Sequence, residues 1–222
     1  MNKKELNSIV EEFTKVYWVK PVDTIWNSVN CWYVKNLLGN IKGKQILDLG
    51  SGDGLTAAVM FGGKIHPEYD RFRSAQAVFT RINPDKKGNR SGQFGDIYSR
   101  PIKARLIKKP KVKINYALEL KKYHNYVSKS LGIYDNIIQS SFNNIKLPDN
   151  SIDKIYSIFA FYWGDNIQKQ LLEVNRVLKK NGDFIVNLPS EHLKKIHHAY
   201  NLSKDKKISK NLRDMLSMMD GN

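Results

Sequence analysis

Ile46-Leu47-Asp48-Leu49-Gly50-Ser51-Gly52-Asp53-Gly54 decides how this chain folds. An apolar run (Ile46, Leu47, Leu49) carrying one carboxylate leads directly into glycines at alternate positions. That pattern predicts a parallel strand ending in a tight turn, over which a ligand lies close to the backbone. Glycine permits the close approach, and a helix starting behind the turn offers free N–H groups.

The nonapeptide resembles motif I of the class I S-adenosylmethionine-dependent methyltransferases, two apolar residues followed by Asp-x-Gly-x-Gly-x-Gly. The nearest competitor is the dinucleotide-binding turn G-x-G-x-x-G/A of nicotinamide enzymes. Counted from Gly50, its sixth position falls on Leu55, where a small residue is required for close helix–strand packing. Counted from Gly52 it falls on Ala57, which fits, but Asp48 then has no role and the strand ends too early.

Further blocks in the same order extend the resemblance over about 46–60 and 113–190. Lys113 to Glu119 reads as the second core strand and ends in an acid. Asn136 to Ser140 reads as the third. Pro148-Asp149-Asn150-Ser151-Ile152-Asp153 is a turn into the fourth, 153–158. Leu172-Glu173-Val174-Asn175-Arg176-Val177-Leu178-Lys179-Lys180-Asn181-Gly182 resembles the family's helix and turn before its fifth strand, here 183–188. A helix from Asn166 to Lys180, capped by Asn181-Gly182, is the expectation there. The implied fold is α/β, a Rossmann-like doubly wound and mostly parallel sheet.

Outside the blocks, apolar spacing predicts two amphipathic helices within residues 1–42, the first ending before Pro21 and the second N-capped by Asp23. In the family such helices help to enclose the substrate. After a short helix, 55–60, a second strand is due within about 20 residues. Instead residues 62–111 form a Gly-, Pro-, Arg- and Lys-rich insertion, expected to build part of the substrate region. Residues 191–222 look helical, and no closing strand pair is legible in them. One domain over 1–222 is the expected organisation.

The resemblance implies S-adenosylmethionine as cofactor, held by Asp48, Gly50, Ser51, Gly52 and Gly54 of the turn. Glu119 takes the ribose hydroxyls, with Leu120 beside it. Ser141 stands where the family usually carries an acid that reads adenine, and Phe142 can pack on that ring. Phe159 closes the list at the end of the fourth strand. Catalytic candidates are Tyr162 and Asp165, just beyond that strand, and His66, whose imidazole titrates near neutrality. His66-Pro67-Glu68-x-Asp70 also has metal-ligand residue types, but no metal site is assigned. The lack of an Asn-Pro-Pro-Tyr-like tetrapeptide after the fourth strand counts against methylation of base or amide nitrogens.

Net charge of +16 invites a nucleic-acid reading, yet lysine outnumbers arginine 29 to 8 and asparagine reaches 21, a joint bias that resembles codon drift. The densest run is Lys103, Arg105, Lys108, Lys109, Lys111 and Lys113, suited to holding an acceptor's phosphate. One cysteine, Cys31, and the lack of an apolar leader or an 18-residue apolar stretch point to a cytoplasmic protein without membrane spans. The expected reaction is methyl transfer to oxygen or nitrogen of a small, sugar- or nucleotide-linked acceptor. RNA methylation and a non-catalytic cofactor-binding module are the alternatives.

Overall fold

The computed structural model describes residues 3–16, 21–66 and 103–188. Two compact units divide the chain, 1–83 with 94–187 and 84–93 with 188–222; every element below lies in the first. Its centre is an all-parallel sheet of β1 (Ile46–Leu49), β4 (Ile114–Glu119), β5 (Tyr134–Gln139), β6 (Ile152–Ser157) and β7 (Leu178–Val186), ordered β5-β4-β1-β6-β7. The chain winds outward from β1 through β4 to β5, then returns to β6 on the other side of β1. That reversal opens a crevice at the carboxyl ends of β1 and β6, where open α/β sheets bind ligands.

All four residues of β1 are buried, because helices cover both faces and strand alternation disappears. Side chains still alternate between two cores. Ile46 joins the cluster with Phe13, Cys31, Val34, Val127 and Leu131, contributed by helices α1 (Lys3–Val16), α2 (Pro21–Leu38) and α4 (Lys122–Leu131). Leu47 and Leu49 join Ile155, Phe161, Val174 and Val177 on the face covered by α5 (Ile167–Val177). The short α3 (Leu55–Met60) follows the glycine turn as expected. α2 begins at Pro21, two residues before the expected cap, since proline is well tolerated at the first helical position.

Two elements differ from the sequence expectation. α5 ends at Val177 instead of Lys180, and Leu178 is already extended and paired with Ile152. Asn181, at φ 66°, is then a bulge within β7 rather than a helix cap, and the register resumes at Lys154 opposite Asp183. What halts the helix there is the crossover before β6. Arg176 donates from Nη1 to Leu147 O and Asp149, and from Nη2 to Ile145 O, while Glu173 accepts the Ile145 N–H. This explains why the Glu-x-x-Arg string has that spacing: the pair ties α5 to the crossover.

The insertion also holds structure that its composition hid. β2 (Lys64–Ile65) and β3 (Leu106–Lys108) form an antiparallel ladder across it, anchored to α1 where Glu12 accepts the Ile65 N–H at 2.7 Å. Two or three residues are too few to show a period. The rest of the insertion, 67–102, and the segment expected to be helical, 191–222, lie outside the described residues. No helix among the described residues is long and apolar enough to cross a membrane.

Candidate functional site

The glycine turn sits at the carboxyl end of β1, and each of its parts is held differently. Gly50 and Ser51 both donate their N–H groups to Leu118 O, at 2.8 and 3.1 Å, locking the turn to β4. Gly50 has φ +85°, and a Cβ there would lie 2.3 Å from Ala160 Cβ and 3.0 Å from the Phe142 ring. No side chain fits. Gly52 is also left-handed, at φ +56°, but nothing lies within 4 Å of where its Cβ would stand. The first glycine is therefore required by the protein's own packing, whereas the space above the second is open. Beside it the Ser51 hydroxyl is buried with no hydrogen-bond partner among the described residues.

Glu119, at the end of β4, faces this turn. Its carboxylate accepts the Gly52 N–H at 3.0 Å on one oxygen and the Lys121 N–H at 2.8 Å on the other. Burial pushes this carboxyl up, but His124, 3.9 Å away, and the Lys121 N–H outweigh it and hold it below the usual range. Glu119 is thus a fixed anion with lone pairs to spare. Leu120 beside it is 60% exposed, unusual for a leucine at a strand end.

Asp48 is placed differently from the other residues of the turn. Its side chain lies in the α1–α2–α4 core, where one oxygen accepts both Tyr134 Oη at 2.6 Å and Tyr156 Oη at 2.8 Å. Burial pushes its carboxyl up to about 7, against the pull of the two hydroxyls. It braces β1 against β5 and β6 from beneath the turn.

Across the crevice, the loops after β5 and β6 supply aromatic walls. Phe142 lies over Gly50 and 6.0 Å from the Phe161 ring, and Ser141 precedes it, half-buried. Phe159 has φ 58°, a conformation a bulky residue adopts only when its surroundings impose it. Its N–H donates to Asn187 Oδ1 at 2.7 Å, and Trp26 of α2 packs 6.3 Å from its ring. Asn187 also donates to Asn30 of α2, at 3.3 Å. Trp26, Asn30 and Asn187 were not among the residues singled out by sequence: a tryptophan in a helical stripe and an asparagine at a strand end carry no motif.

Tyr162 and Trp163 follow in a 3-10 turn, Phe161–Trp163, with ring centroids 4.9 Å apart. Burial raises the Tyr162 hydroxyl above its ordinary range, against the pull of a hydrogen bond from Trp163. Asp165 is exposed and accepts from Asn143 Nδ2 at 2.7 Å, bridging the loops after β5 and β6. His66 is elsewhere: its N–H donates to Arg105 O in the β2–β3 ladder. The basic run is elsewhere too. Lys109, Lys111 and Lys113 precede β4, at the opposite end of the sheet from the crevice, so they are not placed to hold an acceptor's phosphate there.

Residues 103–186 match the family model of a methyltransferase domain. Among solved structures, the chain is similar to YcgJ of Bacillus subtilis, with 17% identity and a TM-score of 0.47, covering 79% of this chain and 58% of that one. It is similar to an S-adenosylmethionine-dependent methyltransferase of Thermotoga maritima, with 14% identity, a TM-score of 0.46 and coverage of 97% and 74%. One from Aquifex aeolicus gives 19% identity, a TM-score of 0.39 and coverage of 81% and 68%. This chain therefore spans little more than half the length of the Bacillus protein. No curated protein sequence matches it.

Proposed function

We propose that this chain, whose residues 103–186 match the model of a methyltransferase domain, is a class I S-adenosylmethionine-dependent methyltransferase that methylates an oxygen or nitrogen of a small, sugar- or nucleotide-linked acceptor. The observation that carries the cofactor assignment is the pairing of an open Gly52 with the fixed Glu119 carboxylate at the carboxyl ends of β1 and β4. The residues fit the group. Ser51 Oγ, buried without a partner among the described residues, and the open face of Gly52 suit the amino-acid part of the cofactor. Glu119 has acceptor capacity left for two vicinal hydroxyls. Leu120, Phe142 and the Ser141 hydroxyl suit the flat, mostly apolar base, and Phe159 closes the opposite wall. Gly50, Gly54 and Asp48 hold the backbone in that shape and need no contact of their own.

The bound cofactor supplies a sulfonium-linked methyl group, an electrophile that asks of the protein mainly alignment. On this reading Tyr162 donates a hydrogen bond to the acceptor. Asp165, steadied by Asn143, orients the attacking group or receives its proton. His66 could serve as base only if the insertion brings the acceptor to the β2–β3 ladder. Trp26 offers a flat exposed face to an acceptor ring.

Calorimetric titration with S-adenosylmethionine and S-adenosylhomocysteine, with NAD as control, tests the assignment. Micromolar binding of the first two to the wild type, abolished in Glu119→Ala, is the expected result. Binding of NAD alone, or titrations unchanged in the variant, would overturn it. Release of S-adenosylhomocysteine on adding candidate acceptors then separates an enzyme from a binding module.

A further inference from the structure

The amino-terminal end of the sheet carries a surface that methyl transfer does not use. There a cleft of about 370 Å³ is lined by Lys44, Lys154, Lys179 and Lys180, with Asn40 and Asn181 and only two carboxylates, Asp153 and Asp183. Asp183 pairs with Lys154, and Asp153 pairs with Lys179 while also accepting the Gln45 N–H. Both acids are thus engaged, and Lys44 and Lys180 remain without an ion pair among the described residues.

The charge continues along the same end. Lys113 enters β4 and lies 3.6 Å from Asp135 of β5, a loose pairing, while Lys111 and Lys109 precede it with no ion pair among the described residues. Lys109 reaches the turn at Gly132, before β5. All strands run the same way, so these lysines share one end of the sheet across its full width. Five strands at about 4.8 Å spacing span roughly 19 Å.

We propose that this end of the sheet docks the phosphodiester backbone of a nucleic acid, remote from the methyl-transfer crevice and independent of it. The chemistry of the lining selects that partner. None of the large exposed apolar side chains of the described residues belongs to the cleft, so it offers no anchor for a lipid layer or for the apolar centre of a protein interface. Lysines are point charges that meet successive phosphates without reading bases, and the Asn40 and Asn181 amides add neutral donors. The surface therefore binds backbone, not sequence.

Fluorescence anisotropy with labelled oligo(rU) and oligo(dT), against the full-length protein at rising salt, is the test. The wild type binds, with affinity falling steeply as salt rises. Lys44→Glu with Lys180→Glu weakens binding at least about tenfold and lowers the salt slope by about 1–2 units, near 0.7 for each phosphate no longer neutralised. Its S-adenosylmethionine titration stays as in the wild type, which shows that the fold and the crevice survive. Should the charge reversal fail to fold, Lys44→Gln with Lys180→Gln is used and gives the same direction with a smaller effect. Wild-type affinity in the folded variants overturns the proposal, as does tighter binding of polyglutamate or of phosphatidylserine vesicles than of either oligonucleotide.

Discussion

The two ends of one sheet are built on opposite principles. At the carboxyl end, backbone groups do the holding: Leu118 O takes two N–H groups of the glycine turn, and a buried Glu119 takes a third. At the amino end, side-chain ions meet in water, with Lys179 40% exposed against Asp153. Buried hydrogen bonds fix a shape to fractions of an ångström, because each unmade partner is costly. Exposed pairs fix almost nothing, because water and salt replace them readily. A site for one defined small molecule needs the first kind of construction. A surface for a repeating polyanion works with the second.

The sharpest break of this comparison lies within the turn itself. Gly50→Ala puts a methyl group 2.3 Å from Ala160 Cβ at φ +85°, and is expected to lower stability by about 3 kcal/mol or more, together with loss of S-adenosylmethionine binding. Gly52→Ala meets no atom within 4 Å and is expected to lose only about 1 kcal/mol, from backbone strain, yet to weaken the cofactor titration strongly. Thermal unfolding beside calorimetry reads both; equal melting temperatures for the two variants would mean that the turn is not packed as described.

Next in size is a pH effect of unusual sign. Asp48 keeps its proton up to about 7 in the folded protein and only to about 3.8 when unfolded. Between those values the folded state binds more protons, so this group makes stability fall as pH rises from about 4 to about 7, by an amount on the order of a few kcal/mol. Asp153, at the other end, is held low by the Gln45 N–H and Lys179, and contributes stability above its unfolded pKa that is lost on acidification. Urea titrations across that range are expected to show a decline that Asp48→Asn removes. An identical slope in the variant would place the Asp48 carboxyl in water. The smallest effect belongs to the exposed pair: Lys179→Met should change stability by less than about 0.5 kcal/mol, and a loss several times larger would show that the amino end is structurally built after all.

What the sequence revealed follows the same division. The turn, the acid that ends the second core strand and the succession of strands along the chain could be read because local backbone demands leave residue-type signatures, glycines above all. Glu173 and Arg176 were visible as a string, though not as the clamp on the 145–149 crossover. The role of Asp48 was legible only as an acid in an apolar run. That it meets Tyr134 and Tyr156, 86 and 108 residues away, is tertiary information that no local pattern encodes. For the same reason Trp26 and Asn187 went unmarked, and the β7 bulge at Asn181 passed for a helix cap: Asn-Gly favours a left-handed residue in either setting. The lysines of the amino end are scattered from 44 to 180, and only the parallel topology gathers them.

The placement of β1 also governs how the molecule comes into being. This strand is the hub of the sheet, yet the Ile46 N–H finds Asn115 69 residues on, and the second tyrosine on Asp48 is 108 residues on. Nothing adjacent in the chain can complete it. Loop-closure entropy must be met before either neighbour contributes. Refolding from denaturant is therefore expected to be slow, with α1–α2 pairing early and cofactor-binding competence recovered last, because the glycine turn forms only when β4 and β6 have both arrived.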